Sequence, residues 1–170
     1  MNILKKVVAF AFAVVIYSSS FAQDEGLLET IPETKQEFIE SEKKLLATIN
    51  WLENTALDQE ETKHKKQYAL LTAWIINSPT VTIEVNNRIL TFTKKNSQLL
   101  IFFMAGWTKY CLQNNYSADL TKGNVAGIRS AIGIYKKGVG LKLDKEMQKL
   151  IDLDEKGELE NWVIERLAKS

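Results

Sequence analysis

Ser97-Gln-Leu-Leu-Ile-Phe-Phe-Met-Ala-Gly-Trp-Thr-Lys-Tyr-Cys-Leu-Gln-Asn-Asn-Tyr116 is the stretch that decides how this chain folds. From Leu99 to Trp107 no side chain is polar, and Tyr110, Cys111 and Leu112 extend the apolar surface. At 3.6 residues per turn, that run covers the whole circumference of the first two helical turns. A helix without a polar face has to be enclosed by other elements. A membrane span needs ~20 apolar residues, and Thr108-Lys109 interrupt this run well short of that. The stretch predicts a central core helix over 97–116 in an all-α bundle of about five to seven helices.

Working outward, residues 33–52 carry Phe38, Leu45, Ile49 and Leu52 on one stripe, widened by Ile39 and Leu46 and closed by Trp51. Acids come early and lysines later, an order that suits the helix dipole. Asp58 followed by Glu61 has the spacing of a capping box, so a second helix is expected from about Gln59 to Asn77. Its apolar second half, Tyr68 to Ile76, should lie against the central helix, and Ser78-Pro79 should stop it. Residues 80–93 read two ways. A hairpin about Asn86-Asn87 would pair Val81 with Phe92 and Ile83 with Leu90, in keeping with the density of β-branched residues. A helix would align Val81, Val85, Ile89 and Phe92. An isolated two-stranded hairpin is marginal and the surroundings are helical, so the helix is preferred.

Beyond the central helix, Asn114 to Ser117 is a turn cluster, and helical spacing returns over Val125–Lys137. Gly127, Ala131 and Gly133 are small enough to let this helix approach a neighbour, with Gly106 as the counterpart in the central helix. Glycine costs ~1 kcal/mol against alanine inside a helix, so its presence there asks for a packing reason. A short helix is expected from Asp144 to Leu153, and a last one from Glu158 to Ala168. The tryptophans at 51, 74, 107 and 162 share no period, which disfavours a solenoid.

The chain has 170 residues, and its first 22 read as a secretory signal peptide. Lys5-Lys6 form a basic head, Val7 to Tyr17 an uncharged apolar run, and Ser20 and Ala22 the small residues before a cut at Gln23. Residues 23–170 are then expected to form one helical domain that is exported, periplasmic or secreted, with no transmembrane span. Its opening, Gln23 to Pro32, reads as a disordered lead-in. Removing Lys5 and Lys6 takes the formal charge from +1 to −1. That near-neutral balance offers no footprint for nucleic acid or anionic lipid. One cysteine, Cys111, excludes an intrachain disulfide and reads as a buried, inert thiol.

Few residues point to chemistry. Asp152, Asp154, Gly157 and Leu159 occupy the first, third, sixth and eighth positions of a twelve-residue stretch that resembles an EF-hand calcium loop. The resemblance implies calcium, but it breaks at the fifth and twelfth positions. Lys156 stands where an oxygen ligand belongs, and Val163 stands where a bidentate glutamate belongs. A glycine-ended helix followed by a new helix start is the preferred reading. Gly138-Val-Gly140 lacks the third glycine and the preceding strand of a nucleotide loop. His64 is the only histidine, in the charged run Glu61-Thr-Lys-His-Lys-Lys66, and reads as solvated. One His and one Cys make tetrahedral zinc untenable without several carboxylates.

These readings assign no catalytic residue, no cofactor and no metal. The expected function is an exported, non-enzymatic helical module that binds a protein or cell-envelope partner. A carrier of an apolar small molecule or lipid comes second, held by the aromatic set around Trp74 and Trp107 with Lys109 and Tyr110 meeting a head group. A hydrolase using a carboxylate pair comes third. A cavity beside Trp107 would favour the carrier, and a filled core with an exposed apolar patch would favour the docking module.

Overall fold

The computed structural model describes residues 26–169, so the expected signal peptide and cleavage site lie outside the described residues. Within them the chain forms six α-helices and no strand: α1 (Lys35–Asn54), α2 (Glu61–Asn77), α3 (Leu99–Gln113), α4 (Leu120–Lys137), α5 (Lys145–Glu155) and α6 (Leu159–Leu167). A single 3-10 turn covers Thr91–Lys94. The all-α bundle around the apolar helix is what the sequence predicts. No described helix is long and apolar enough to cross a membrane.

The central helix α3 is enclosed as its composition demands, with Leu99, Phe102, Phe103, Ala105, Gly106, Trp107, Thr108 and Cys111 all buried. Its closest partner is α4, and glycine explains the fit. A Cβ built on Gly106 would lie 2.5 Å from Ser130 Cβ and 2.6 Å from the Ala126 carbonyl oxygen. On α4, a Cβ at Gly127 would strike Phe103, and one at Gly123 would strike the Trp107 indole. Each helix therefore presses large side chains or backbone onto the other's bare backbone. Gly133, expected to share this role, is exposed with nothing within 4 Å of its would-be Cβ.

The ends of the helices are set by local chemistry. Thr34 caps α1 in a complete capping box with Glu37. The box expected at Asp58 and Glu61 does not form. Instead α2 starts after Glu60, which holds the left-handed conformation at φ 46° with no side-chain cap. Asp119 caps α4, which begins five residues before the expected start, and Asp144 caps α5. Between α5 and α6 the chain turns on Gly157 at φ 73°. The Glu158 N–H donates to the Leu153 carbonyl at 2.8 Å and the Gly157 N–H to the Asp154 carbonyl at 3.0 Å. This is the paired-bond glycine stop of a helix end.

Two segments depart from expectation. The lead-in is tied down, because Leu28 is buried, its N–H donates to Thr48 Oγ1 at 2.8 Å, and its carbonyl accepts from Gln67 Nε2 at 3.2 Å. Residues 80–93 form neither helix nor hairpin. From Val81 to Asn86 the chain runs without turn or bend. The Asn86 carbonyl then accepts from the N–H groups of both Ile89 and Leu90, so the chain curls onward into the 3-10 turn and never returns alongside itself. Val81, Ile89, Leu90 and Phe92 are buried, and the turn packs on α3 and α5. Asn96 anchors the far end by bonding both the carbonyl and the N–H of Lys142.

Candidate functional site

The residues singled out from sequence are built into the fold. Trp74 on α2 is wholly buried, its Nε1 donates to Ser41 Oγ at 2.8 Å, and Phe38 meets it edge-on. Trp107 on α3 packs edge-on against Phe103 and lies on the bare backbone of Gly123. Lys109 Nζ donates to Asn50 Oδ1 at 2.7 Å and to Glu53 Oε2 at 3.0 Å. The Tyr110 hydroxyl lies 3.3 Å from Ser117 Oγ. Each of the four is thus satisfied by a neighbour within the chain. Cys111 beside them is buried, its thiol donating to the Ser117 carbonyl, and burial pushes its pKa up.

Glu53 is a junction of three helices that sequence reasoning did not single out. One carboxylate oxygen accepts from Ser130 Oγ at 2.7 Å on α4, the other accepts from Lys109 on α3, and its backbone carbonyl accepts from Lys137 Nζ. A hollow of about 260 Å³ opens beside it, lined by Arg129, Ser130, Gly133 and Lys137. A hydroxyl this close to a carboxylate has the geometry of an activated nucleophile. Here, however, the carboxylate is already ion-paired, and the same contacts join α1, α3 and α4. Other acids form ion pairs near the surface, among them Glu60 with Lys63, Glu61 with Lys65, Asp154 with Arg129, Glu155 with Lys136 and Glu160 with Lys122. Among the described residues, no three His, Cys, Asp or Glu side chains come together as a metal would require. In the last turn of α5, Asp152 accepts from Gln148 and Asp154 is held by Arg129.

His64 overturns its reading as a solvated surface residue. Although Lys63, Lys65 and Lys66 surround it in sequence, it is only 3 % exposed. Its ring lies tilted between Trp51 at 4.8 Å and Tyr68 at 5.5 Å, and neither ring nitrogen has a hydrogen-bond partner among the described residues. Burial therefore lowers its pKa, and Lys63 adds to that, while Glu60 and the Ala56 backbone, short of hydrogen-bond geometry, pull the other way. Gln67 Oε1 and the Tyr68 hydroxyl nearby on α2 are also buried without partners, and burial pushes Tyr68 up to about 12.

Exposed apolar side chains include Leu143 on its own and a pair that borders a hollow. Ile76 at the end of α2 is 72 % exposed, and Val85 in the extended run is 57 % exposed. They flank a hollow of about 310 Å³ lined also by Ile75, Val81, Ile83 and Met104, with Ser78 and Thr82 as its polar edge. The β-branched density of residues 80–85 is the sequence signal for this face, but it reads as secondary structure until the chain is seen to stay extended. No family model matches the chain, and neither a curated protein nor a solved structure is found to match it.

Proposed function

We propose that the chain is an exported, non-enzymatic helical module that docks a protein or cell-envelope partner through the face around Ile76 and Val85. The observation that carries this reading is an apolar surface hollow bordered by two strongly exposed aliphatic side chains, Ile76 and Val85. Water-exposed aliphatic groups gathered at one place favour association, since burying them removes apolar area from water. The rival reading as a carrier needed room beside Trp107. Gly123 and Phe103 occupy that space. A hydrolase needs carboxylates free to act on a substrate; Glu53 beside its hollow is paired with Lys109, Glu37 is spent in the cap of α1, and Glu40 accepts from Gln36.

The test has two parts. N-terminal sequencing of protein from the native host should begin at or near Gln23, and a mature protein starting at Met1 would overturn the export reading. A photo-crosslinking side chain at position 76 should then join the protein to one discrete species in the exported fraction, whereas the same group at Lys149, on exposed α5 surface, should not. Equal yields at the two positions would refute the docking face.

A further inference from the structure

We infer that this face is also where two copies of the chain meet, by antiparallel pairing of the extended run Val81–Val85 about Ile83. The inference rests on the docking reading and names a second copy as one occupant of that face. Its first support is the backbone. The N–H and C=O groups of Thr82, Ile83, Glu84 and Val85 make no hydrogen bond among the described residues. A straight, β-branched run with unspent donors and acceptors is a sheet edge lacking its sheet, the kind of edge that recruits a strand from another molecule.

The side chains fit the same geometry. Alternation sets Val81, Ile83 and Val85 on one face and Thr82 and Glu84 on the other; Val81 is buried and Ile83 half-buried, both polar residues are exposed, and Val85 leaves the core and is exposed with them. Soluble proteins blunt an open edge with lysine, proline or a bulge. Between Val81 and Asn86 this run carries neither lysine nor proline, and Glu84 is its one charge.

The second copy follows from self-complementarity. When the run pairs with itself about Ile83, Val81 faces Val85, Ile83 faces Ile83, and Glu84 faces Thr82. No like charges meet, and the exposed Val85 of each copy is covered by the other. The arrangement closes as a two-fold dimer, because the same patch serves both sides. An edge this short falls below the ~800 Å² per partner of a stable interface, so the association is weak. A docking partner on the same face would compete with it, so crowding of the chain would withhold the face from that partner.

Sedimentation velocity on the exported chain tests this, with monomer expected at ~1 μM and a rising dimer fraction towards ~500 μM. Thr82 is exposed, so charge changes there spare the core. Thr82→Glu sets a carboxylate opposite Glu84 of the other copy, and Thr82→Lys sets an ammonium there. Each cross-strand pair shifts the dimer constant roughly 1.5–5-fold, and symmetry makes two of them. Thr82→Glu should therefore weaken the dimer and Thr82→Lys strengthen it, with amide exchange at 82–85 slowing as concentration rises. Wild-type and Thr82→Lys proteins that both stay monomeric to ~500 μM would refute the inference. So would a dimer that the two substitutions move in the same direction. If the chain is monomeric but position 76 still crosslinks another species, the inference fails and the docking reading stands. If neither occurs, both fail.

Discussion

Replacing Gly106 by alanine is the sharpest test of how α3 and α4 are held. The added Cβ would lie 2.5 Å from Ser130 Cβ and 2.6 Å from the Ala126 carbonyl oxygen. Non-bonded heavy atoms are comfortable at ~3.5–4.0 Å, so the helices must separate by about 1 Å. Neither obstacle is the loose end of a side chain: one is a Cβ and the other is helix backbone, so α4 has to move as a body. Moving it loosens Phe103 over Gly127 and Trp107 over Gly123 as well. Overpacking of this kind costs about 1–3 kcal/mol, against a helix-propensity gain of at most ~1 kcal/mol. Gly106→Ala should thus lose ~1–2 kcal/mol net, and Gly106→Leu more. Gly133, also inside α4, is the internal control, because its Cβ would meet nothing within 4 Å. Gly133→Ala should gain ~0.5–1 kcal/mol. Thermal unfolding of the variants beside the parent protein reads the differences, at roughly 2–4 °C in melting temperature per kcal/mol for a chain of this size. A Gly106→Ala protein as stable as Gly133→Ala would refute the account of the α3–α4 contact.

Because the folded-state pKa of His64 lies below its ordinary value of 6.5, the unfolded chain binds the proton more readily. The stability it contributes is whole above ~6.5 and is lost as pH falls from there towards the folded-state value. The melting temperature should drop from about pH 7.5 to about pH 5.5, and His64→Phe should flatten that drop; an unchanged slope in the variant would place the sensitivity elsewhere. Gly157→Ala should lose ~1 kcal/mol from left-handed strain alone, as the added methyl meets nothing within 4 Å; a neutral result would mean the turn relaxes. Millimolar calcium should leave the melting temperature unmoved, since Lys156 and Val163 occupy ligand positions of the loop; a clear rise would show native-state binding there.

Strong periodicity made most of the bundle legible. The stripe Phe38, Leu45, Ile49 and Leu52 is buried on α1, and the apolar circumference of α3 is enclosed. The early turns of α4 lie before the expected start at Val125, and Gly123 and Asn124 there have low helix propensity. Packing explains both: Gly123 admits the Trp107 indole, and Asn124 Nδ2 turns back to the Leu120 carbonyl at 2.8 Å. His64 was misread for the opposite reason, with neighbouring lysines setting the apparent character of the segment. Yet the buried face of α2 is His64, Gln67, Leu71, Trp74 and Ile75, a helical stripe that could have been extended backwards from Trp74 through the charged run. Of the candidate site, the four residues named from sequence were the conspicuous aromatics and their neighbours, which the core had already claimed.

Residues 80–93 show why propensity failed where it did. Both local readings were self-consistent: the helix aligned Val81, Val85, Ile89 and Phe92, and the hairpin paired Val81 with Phe92. Each assumed that the segment would satisfy its own backbone. The structure satisfies its side chains first, burying Val81 at one end and Ile89, Leu90 and Phe92 at the other while leaving Val85 in water. Asn86 alone accounts for the change of course, its carbonyl taking two N–H groups and its side chain taking that of Arg88. The cost falls on residues 82–85, whose backbone groups make no hydrogen bond among the described residues. A segment fixed at both ends and unspent in the middle cannot slip its register, which makes it a better template for another strand than a free tail would be. That rigidity links the failed secondary-structure reading to the surface proposed here as the working face of the molecule.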